Sequence, residues 1–231
     1  RYQLFPVEKR KQAAIVIETS KHPELEDLGI RLITITDFEW QTKKEAVKNI
    51  LDHALGGLPR IYGRETEVRQ INRGEAKGFM DRLHLQGCCL SKVYFGLFYK
   101  DELVAVMSFK KKIDTWELKR YCSSHAVVGG VGKLFKAFLL AYNPKKVISF
   151  CHERLFSGAI YEGLGFKKML QYDYDYYFVS NGRQWHRQKF IRKRIPAEFQ
   201  REGLFETTEA CGAWTLFVPG GAKYEKIIIS N

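Results

Sequence analysis

The sequence predicts an α/β (α+β) fold, a mixed sheet flanked by helices, with a smaller α/β unit ahead of it. Three observations predict it. First, strand-like and helix-like patterns alternate between Trp116 and Phe166. Second, two hairpin patterns flank that stretch, one around Lys100-Asp101-Glu102 and one at Asn181-Gly182. Third, 45% of the residues are hydrophobic, the fraction of a folded chain rather than a disordered one.

Taken in order, residues 1–12 are basic and irregular. Ala13 to Glu18 (A-A-I-V-I-E) reads as a short buried strand, and His22 to Asp27 as the polar start of a helix. Gly29 introduces I-R-L-I-T-I, a second strand. A helix then runs from about Lys43 to Leu55, with Ala46, Val47, Ile50, Leu51 and Ala54 on one face, and Gly56-Gly57-Leu58-Pro59 ends it. Gly56 to Arg64 reads as a linker, which divides the chain into residues 1–58 and 59–231.

Beyond the linker, Thr66 to Ile71 makes a strand and Arg73 to Leu83 an amphipathic helix closed by His84-Leu85-Gln86-Gly87. Val93–Tyr99 and Leu103–Phe109 form a hairpin. W-E-L-K-R-Y-C follows as a strand. V-V-G-G-V-G-K-L-F is a glycine turn opening a helix with Val131, Leu134, Phe135, Phe138 and Leu139 at helical spacing. K-K-V-I-S-F-C is a β-branched strand after Pro144, and S-G-A-I-Y-E-G-L-G-F a short helix stopped at Gly165. Tyr172–Val179 and Trp185–Ile191 pair across Asn181-Gly182, and Trp214–Val218 and Ile227–Ile229 read as edge strands of the tail.

A formal charge of +12 at pH 7 on 231 residues favours a polyanionic partner, DNA or another nucleic acid before an acidic membrane. No apolar run is long enough to span a bilayer, and the N-terminus does not read as a signal peptide; a segment upstream of Arg1 is expected. The cysteines are Cys88, Cys89, Cys122, Cys151 and Cys211. An odd count without a regular framework predicts reduced thiols in a cytosolic compartment, and the lack of C-x₂-C spacing predicts no zinc or other metal site.

The candidate chemistry gathers in the central stretch. Val128, Gly129, Gly130, Gly132 and Lys133 stand where a strand turns into a helix N-terminus, whose amides and dipole favour a phosphate; the same glycines also serve a bare turn. Tyr161 suits a general acid, or an aromatic anchor against Phe166. Glu117 is placed for an amine-deprotonating base, or is an ordinary surface carboxylate. His84 is a site candidate beside the expected cleft, or a histidine stabilised at a helix exit. His152 reads as structural. The strand after Asn181-Gly182 carries Arg183, Trp185, His186, Arg187, Lys189, Arg192, Lys193 and Arg194, cations for phosphates interleaved with aromatics for bases.

Residues 66–191, on the motifs V-V-G-G-V-G-K and S-G-A-I-Y-E-G-L-G-F, resemble the GNAT fold of acyl-CoA-dependent N-acyltransferases. The family's turn is Q/R-x-x-G-x-G/A, and Val127 stands at its first position. L-H-L-Q-G, W-E-L-K-R-Y-C, the N-P-K-x-V-I-S-F pattern and the basic hairpin resemble phage Mom-type DNA-modification proteins and the domain that follows Vsr-like nuclease halves in phage homing endonucleases. Tyr161 matches the Mom-type tyrosine, while Cys151-His152-Glu153 stands where that group has an aspartate. Residues 19–57, with His22, L-G-I-R-L-I-T-I, D-F-E-W and the terminal L-G-G, resemble part of a Vsr-like nuclease; only Glu18 with Lys21 offers its metal-holding groups, so the segment reads as a degenerate remnant.

The resemblance implies a phage-encoded protein of the bacterial cytoplasm. It would act on DNA with an acyl-CoA-type donor and transfer an acyl-type group to a nucleobase amine. The alternative is a non-catalytic DNA-binding module of a homing-endonuclease relative.

Overall fold

The computed structural model describes residues 3–4, 13–16, 31–181, 183–186 and 195–228. A small sheet opens the chain. β1 (Gln3–Leu4) lies antiparallel to β2 (Ala13–Val16), and β2 lies parallel to β3 (Arg31–Thr34). Helix α1 (Asp37–Thr42) begins at a capping box: Glu39 N–H donates to Thr36 Oγ1 at 3.2 Å, and Thr36 N–H donates to Glu39 Oε2 at 3.1 Å. This helix is absent from the sequence reading, although T-D-F-E carried its signature. α2 (Lys44–Leu55) buries Ala46, Val47 and Ile50 and ends at Gly56 in the left-handed region. The expected helix start at 22–27 lies outside the described residues, as do Glu18 and Lys21.

The stretch expected to be a linker carries regular structure. Its strand β4 (Arg60–Tyr62) runs parallel to β9 (Ala126–Val128), and residues 63–65 form a 3₁₀ turn. The body of the molecule is a seven-stranded mixed sheet in the order β11-β15-β10-β8-β7-β6-β5. These are β5 (Glu67–Ile71), β6 (Val93–Tyr99), β7 (Glu102–Lys111), β8 (Trp116–Ser123), β10 (Lys146–His152), β11 (Lys167–Gln171) and β15 (Gly221–Ile227). The fold class is the expected one, a mixed α/β sheet flanked by helices, and the strands of this sheet from β5 to β10 come in the order read from the sequence, while β9 stands where only a turn was expected.

Alternation along the strands decides which side each helix covers. α3 (Arg73–Leu83) packs Ala76, Phe79, Met80 and Leu83 on Tyr94, Val106 and Cys122. α4 (Gly130–Tyr142) packs Leu134, Phe135 and Phe138 on the opposite face, against Phe95, Met107, Phe109, Trp116 and Leu118. Phe138 stacks on Phe109 at 3.6 Å between ring centroids. The short α5 (Ala159–Gly163) lies on the α4 face, where Tyr161 stacks on Tyr224 of β15 at 4.8 Å.

The tail corrects one expectation. The Ile227 region is no edge strand: β15 lies between β11 and β10, pairing antiparallel with both, because Ala222 and Tyr224 complete the core under α4 and α5. β11, between α5 and the basic hairpin, went unread, since its K-K-M-L-Q is exposed along its length and shows no alternation. The described residues of 172–219 form an excursion between β11 and β15. They hold a second sheet of order β13-β12-β14, from β12 (Tyr174–Ser180), β13 (Arg183–His186) and β14 (Trp214–Pro219), together with α6 (Leu204–Ala210).

One buried arginine ties the parts together. The guanidinium of Arg154 donates to Glu39 at 2.5 and 3.0 Å, to the Thr34 carbonyl at 2.7 Å and to Tyr177 Oη at 3.5 Å. Thr34 N–H in turn donates to the Arg154 carbonyl at 2.9 Å. Among the described residues no helix is long and apolar enough to cross a membrane.

Candidate active site

The sheet opens between two neighbouring strands. β8 and β10 pair in parallel at Trp116↔Val147 and Glu117↔Ile148 and no further. Beyond that point β8 follows β7 as far as Ser123, and β10 follows β15 as far as His152. Backbone groups at such a parting lose their ladder partners and need others. Ser149 supplies one: its buried Oγ lies 2.9 Å from the Leu118 carbonyl and 3.1 Å from Tyr161 Oη, and can donate to either. The Tyr161 hydroxyl donates to the Phe150 carbonyl at 3.3 Å. Tyr161 therefore reaches the opening from the α4 face, with its ring held against Tyr224 and Phe166. Burial pushes its pKa up to about 12, against the opposing bond from Ser149, so the phenol stays protonated.

The glycine turn lies on the same face. Gly129 has φ 76° and caps α4 without a side-chain hydrogen bond, which leaves the first helix amides for another acceptor. At Gly130 a Cβ would fall 2.6 Å from Val127 Cγ1 and 2.9 Å from Leu97 Cδ1, so only glycine lets the helix start this close to the sheet. Gly63 of the linker packs against the turn, and a Cβ there would meet the Gly130 nitrogen at 3.2 Å; nothing in its own neighbourhood marked it. Gly132 and Val128 are exposed.

Lys133 departs from expectation. Its ammonium donates to the Gly63 carbonyl at 2.9 Å and to the Thr66 carbonyl, so it ties the helix to the linker rather than adding a free charge to the turn. Glu117 departs too. On central strand β8 it is only 4% exposed, not a surface carboxylate, and it accepts from Lys119 at 2.8 Å and Lys112 at 3.0 Å. Burial alone would raise its pKa, but the two ammonium groups outweigh that and hold it below the ordinary value. A carboxylate so paired keeps its charge and is a weak base.

The other face of the opening carries groups that sequence reasoning scattered. Arg120 sits two residues before Cys122, past a bulge in β8 after Leu118, and shares its α3 face. Its Nη1 donates to the Lys119 carbonyl at 2.8 Å, and its Nε is buried without a partner. Ile148, Phe150 and His152 alternate with core-facing Val147 and Cys151, which places them on that face as well. Gln86, in the loop after α3, reaches His152 with its Nε2 3.2 Å from the ring Nε2. His84 Nδ1 accepts from the Gln86 N–H at 3.2 Å, so the neutral ring carries its proton on Nε2. Burial first, then the charges of Arg120, His152 and Lys43, push the His84 pKa down to about 3.

In the basic hairpin, Arg183 is exposed and Trp185 pairs with Phe178 across β12. The His186 backbone pairs with Tyr177. Arg187, Lys189, Arg192, Lys193 and Arg194 lie outside the described residues. The structure thus brings Tyr161 and His84 to opposite faces of one opening. It places Glu117 at the last pair before the strands part and leaves Arg183 and Trp185 on the separate sheet. Among the described residues no three His, Cys, Asp or Glu side chains come together to hold a metal ion.

No protein-family model matches the chain, and no curated protein matches its sequence. Solved structures with a similar arrangement include the ribosomal-protein-S18-alanine N-acetyltransferase of Escherichia coli, at 12% identity and TM-score 0.45 over 72% of this chain and 96% of that one. A GNAT family acetyltransferase from Elizabethkingia anophelis with acetyl-CoA bound matches at 13% identity and TM-score 0.41, over 71% and 99%. The ribosomal-protein-S5-alanine acetyltransferase of Vibrio fischeri matches at 12% identity and TM-score 0.43, over 71% and 93%. At these values the likeness says nothing of what this chain acts on.

Proposed function

We propose that this protein is an acyl-type transferase that moves a group from an acyl-CoA-like donor to an amine, a nucleobase amine in DNA being the acceptor its charge favours. The observation that carries the reading is the parting of β8 from β10 after two paired positions. Tyr161 Oη stands at the edge of the gap, and the uncapped start of α4 lies on the same face. The donor's phosphates would sit at Gly129 to Gly132, where amides and helix dipole favour negative charge. In transfer the amine nitrogen bonds to the thioester carbonyl carbon, the C–S bond breaks, and the leaving sulfur takes the Tyr161 proton. The proton shed by the amine returns to the phenolate through water, which restores the acid. A base within a duplex must first be flipped out.

The test is mass spectrometry of nucleosides from DNA co-expressed with the protein, alongside acyl-CoA titration of the purified chain. A new base mass that Tyr161→Phe lowers at least about 100-fold supports the reading. Unmodified DNA and no acyl-CoA binding overturn it.

A second reading, a DNA-binding module without catalysis, is favoured by one observation: Lys133 and Glu117 are both committed to partners within the chain. It requires DNA affinity that falls steeply with salt; a flat response removes it.

A further inference from the structure

We infer that the α3 face of the opening is a nucleotide subsite, in which Arg120 and His84 take a phosphate, beside His152, and the ring of Phe150 takes a base. The inference rests on the transfer reading above and names the acceptor's chemistry. Two strands and a loop converge here. Arg120 comes from β8, His152 and Phe150 from β10, and His84 with Gln86 from the exit of α3, with Gln86 bridging the loop to His152 at 3.2 Å.

Arg120 is the anchor. Its guanidinium is always charged, yet its buried Nε has no hydrogen-bond partner, and one of its other donors is spent on the neighbouring Lys119 carbonyl. A buried donor left unmade is costly, and a bidentate oxyanion is the ligand whose geometry a guanidinium fork matches. His84 adds a neutral N–H donor, because its Nδ1 is already taken as an acceptor by Gln86 N–H.

Phe150 decides between phosphate alone and nucleotide. It lies two residues before His152 on the same strand face, about 7 Å away, and the residue is 44% exposed. Its own carbonyl receives the Tyr161 hydroxyl. A planar base lying on that ring would therefore sit beside the gap through which the donor is approached, with its phosphate toward Arg120. Exposed aromatic rings hold bases by stacking, and adjacent cations hold the backbone.

The imidazole signals of His84 and His152, followed by NMR, test this with deoxyadenosine monophosphate, deoxyadenosine, inorganic phosphate and a five-nucleotide single strand. Both rings should shift with the monophosphate, less with phosphate, and not with deoxyadenosine. Arg120→Gln should abolish the response. Phe150→Ala, which removes an exposed ring and so spares the fold, should weaken monophosphate binding about tenfold and leave phosphate binding alone. Tighter binding of the single strand than of the monophosphate assigns the nucleotide to a polynucleotide; equal binding assigns it to a free nucleotide. No shift with any probe, or an unchanged response in both variants, overturns the inference. None of these probes needs a donor. A positive result with no acyl-CoA binding therefore keeps the subsite and removes the transfer reading, and the reverse result removes only the subsite.

Discussion

The hydroxyl of Ser149 stands 2.9 Å from the carbonyl of Leu118, one position past the last parallel pair of β8 and β10. A side chain thus takes over where a backbone ladder stops. When the Ser149 proton is turned to Leu118 it satisfies a buried carbonyl that would otherwise favour closure or unfolding.

Ser149→Ala removes that partner while adding no bulk. The expected cost is about 1–3 kcal/mol in urea denaturation, with Tyr161 left bonded to the Phe150 carbonyl alone. An unchanged midpoint would mean that the Leu118 carbonyl finds another donor.

The three glycines at the start of α4 should respond differently to alanine. At Gly130 the added methyl meets Val127 and Leu97 within 3 Å, so the helix must shift and stability should fall by about 1–3 kcal/mol. At Gly129 the space is open but φ is 76°, and the cost should be about 1–2 kcal/mol. Gly132 has open space and helical backbone, so alanine there should stabilise by about 0.5–1 kcal/mol. If a donor phosphate uses this turn, Gly132→Ala should nonetheless weaken acyl-CoA binding, which separates the two effects in one variant.

His84 predicts an acid-side loss of stability. Folded, it takes a proton only near pH 3, whereas an unfolded histidine does so near 6.5. Below pH 6.5 the unfolded chain therefore binds more protons, and stability falls as the pH falls. His53, lowered chiefly by burial, acts in the same direction. The urea midpoint should drop between pH 7 and pH 5, above the range where carboxylates titrate. His84→Asn, which can still accept the Gln86 N–H, should remove part of that slope; an equal slope in the variant contradicts the assignment.

Glu39→Ala leaves the buried guanidinium of Arg154 without its carboxylate. The expected loss is about 3–5 kcal/mol by denaturation. Replacing both residues with leucine should recover much of it, because the cost is that of an uncompensated buried charge.

Much of the main sheet was legible in the chain. The apolar alternation of Val93–Phe109 and the helical spacing after Gly130 are local patterns, and local sterics and burial enforce them. Tyr161 stood out for its place in a short helix. Ser149, Arg120 and Gln86 did not. Each is an unremarkable polar residue whose role comes from a neighbour far along the chain: Leu118 for Ser149, His152 for Gln86, and the parting of two strands for Arg120. Lys133 and Glu117 were misjudged for the same reason, since their partners, the Gly63 and Thr66 carbonyls and Lys112, arrive only on folding.

The sequence by itself determined the kinds and order of the elements, the need for glycine where strand turns to helix, and the basic charge. Those follow from each residue's own backbone preferences and side-chain chemistry, which act over a few neighbours. Tertiary structure alone decided that β15 inserts between β10 and β11, that β8 and β10 separate after two pairs, and that Arg120 Nε is buried without a partner. Such facts depend on which strands meet and where their hydrogen bonds run out, and no stretch of sequence carries that information before the chain has closed on itself.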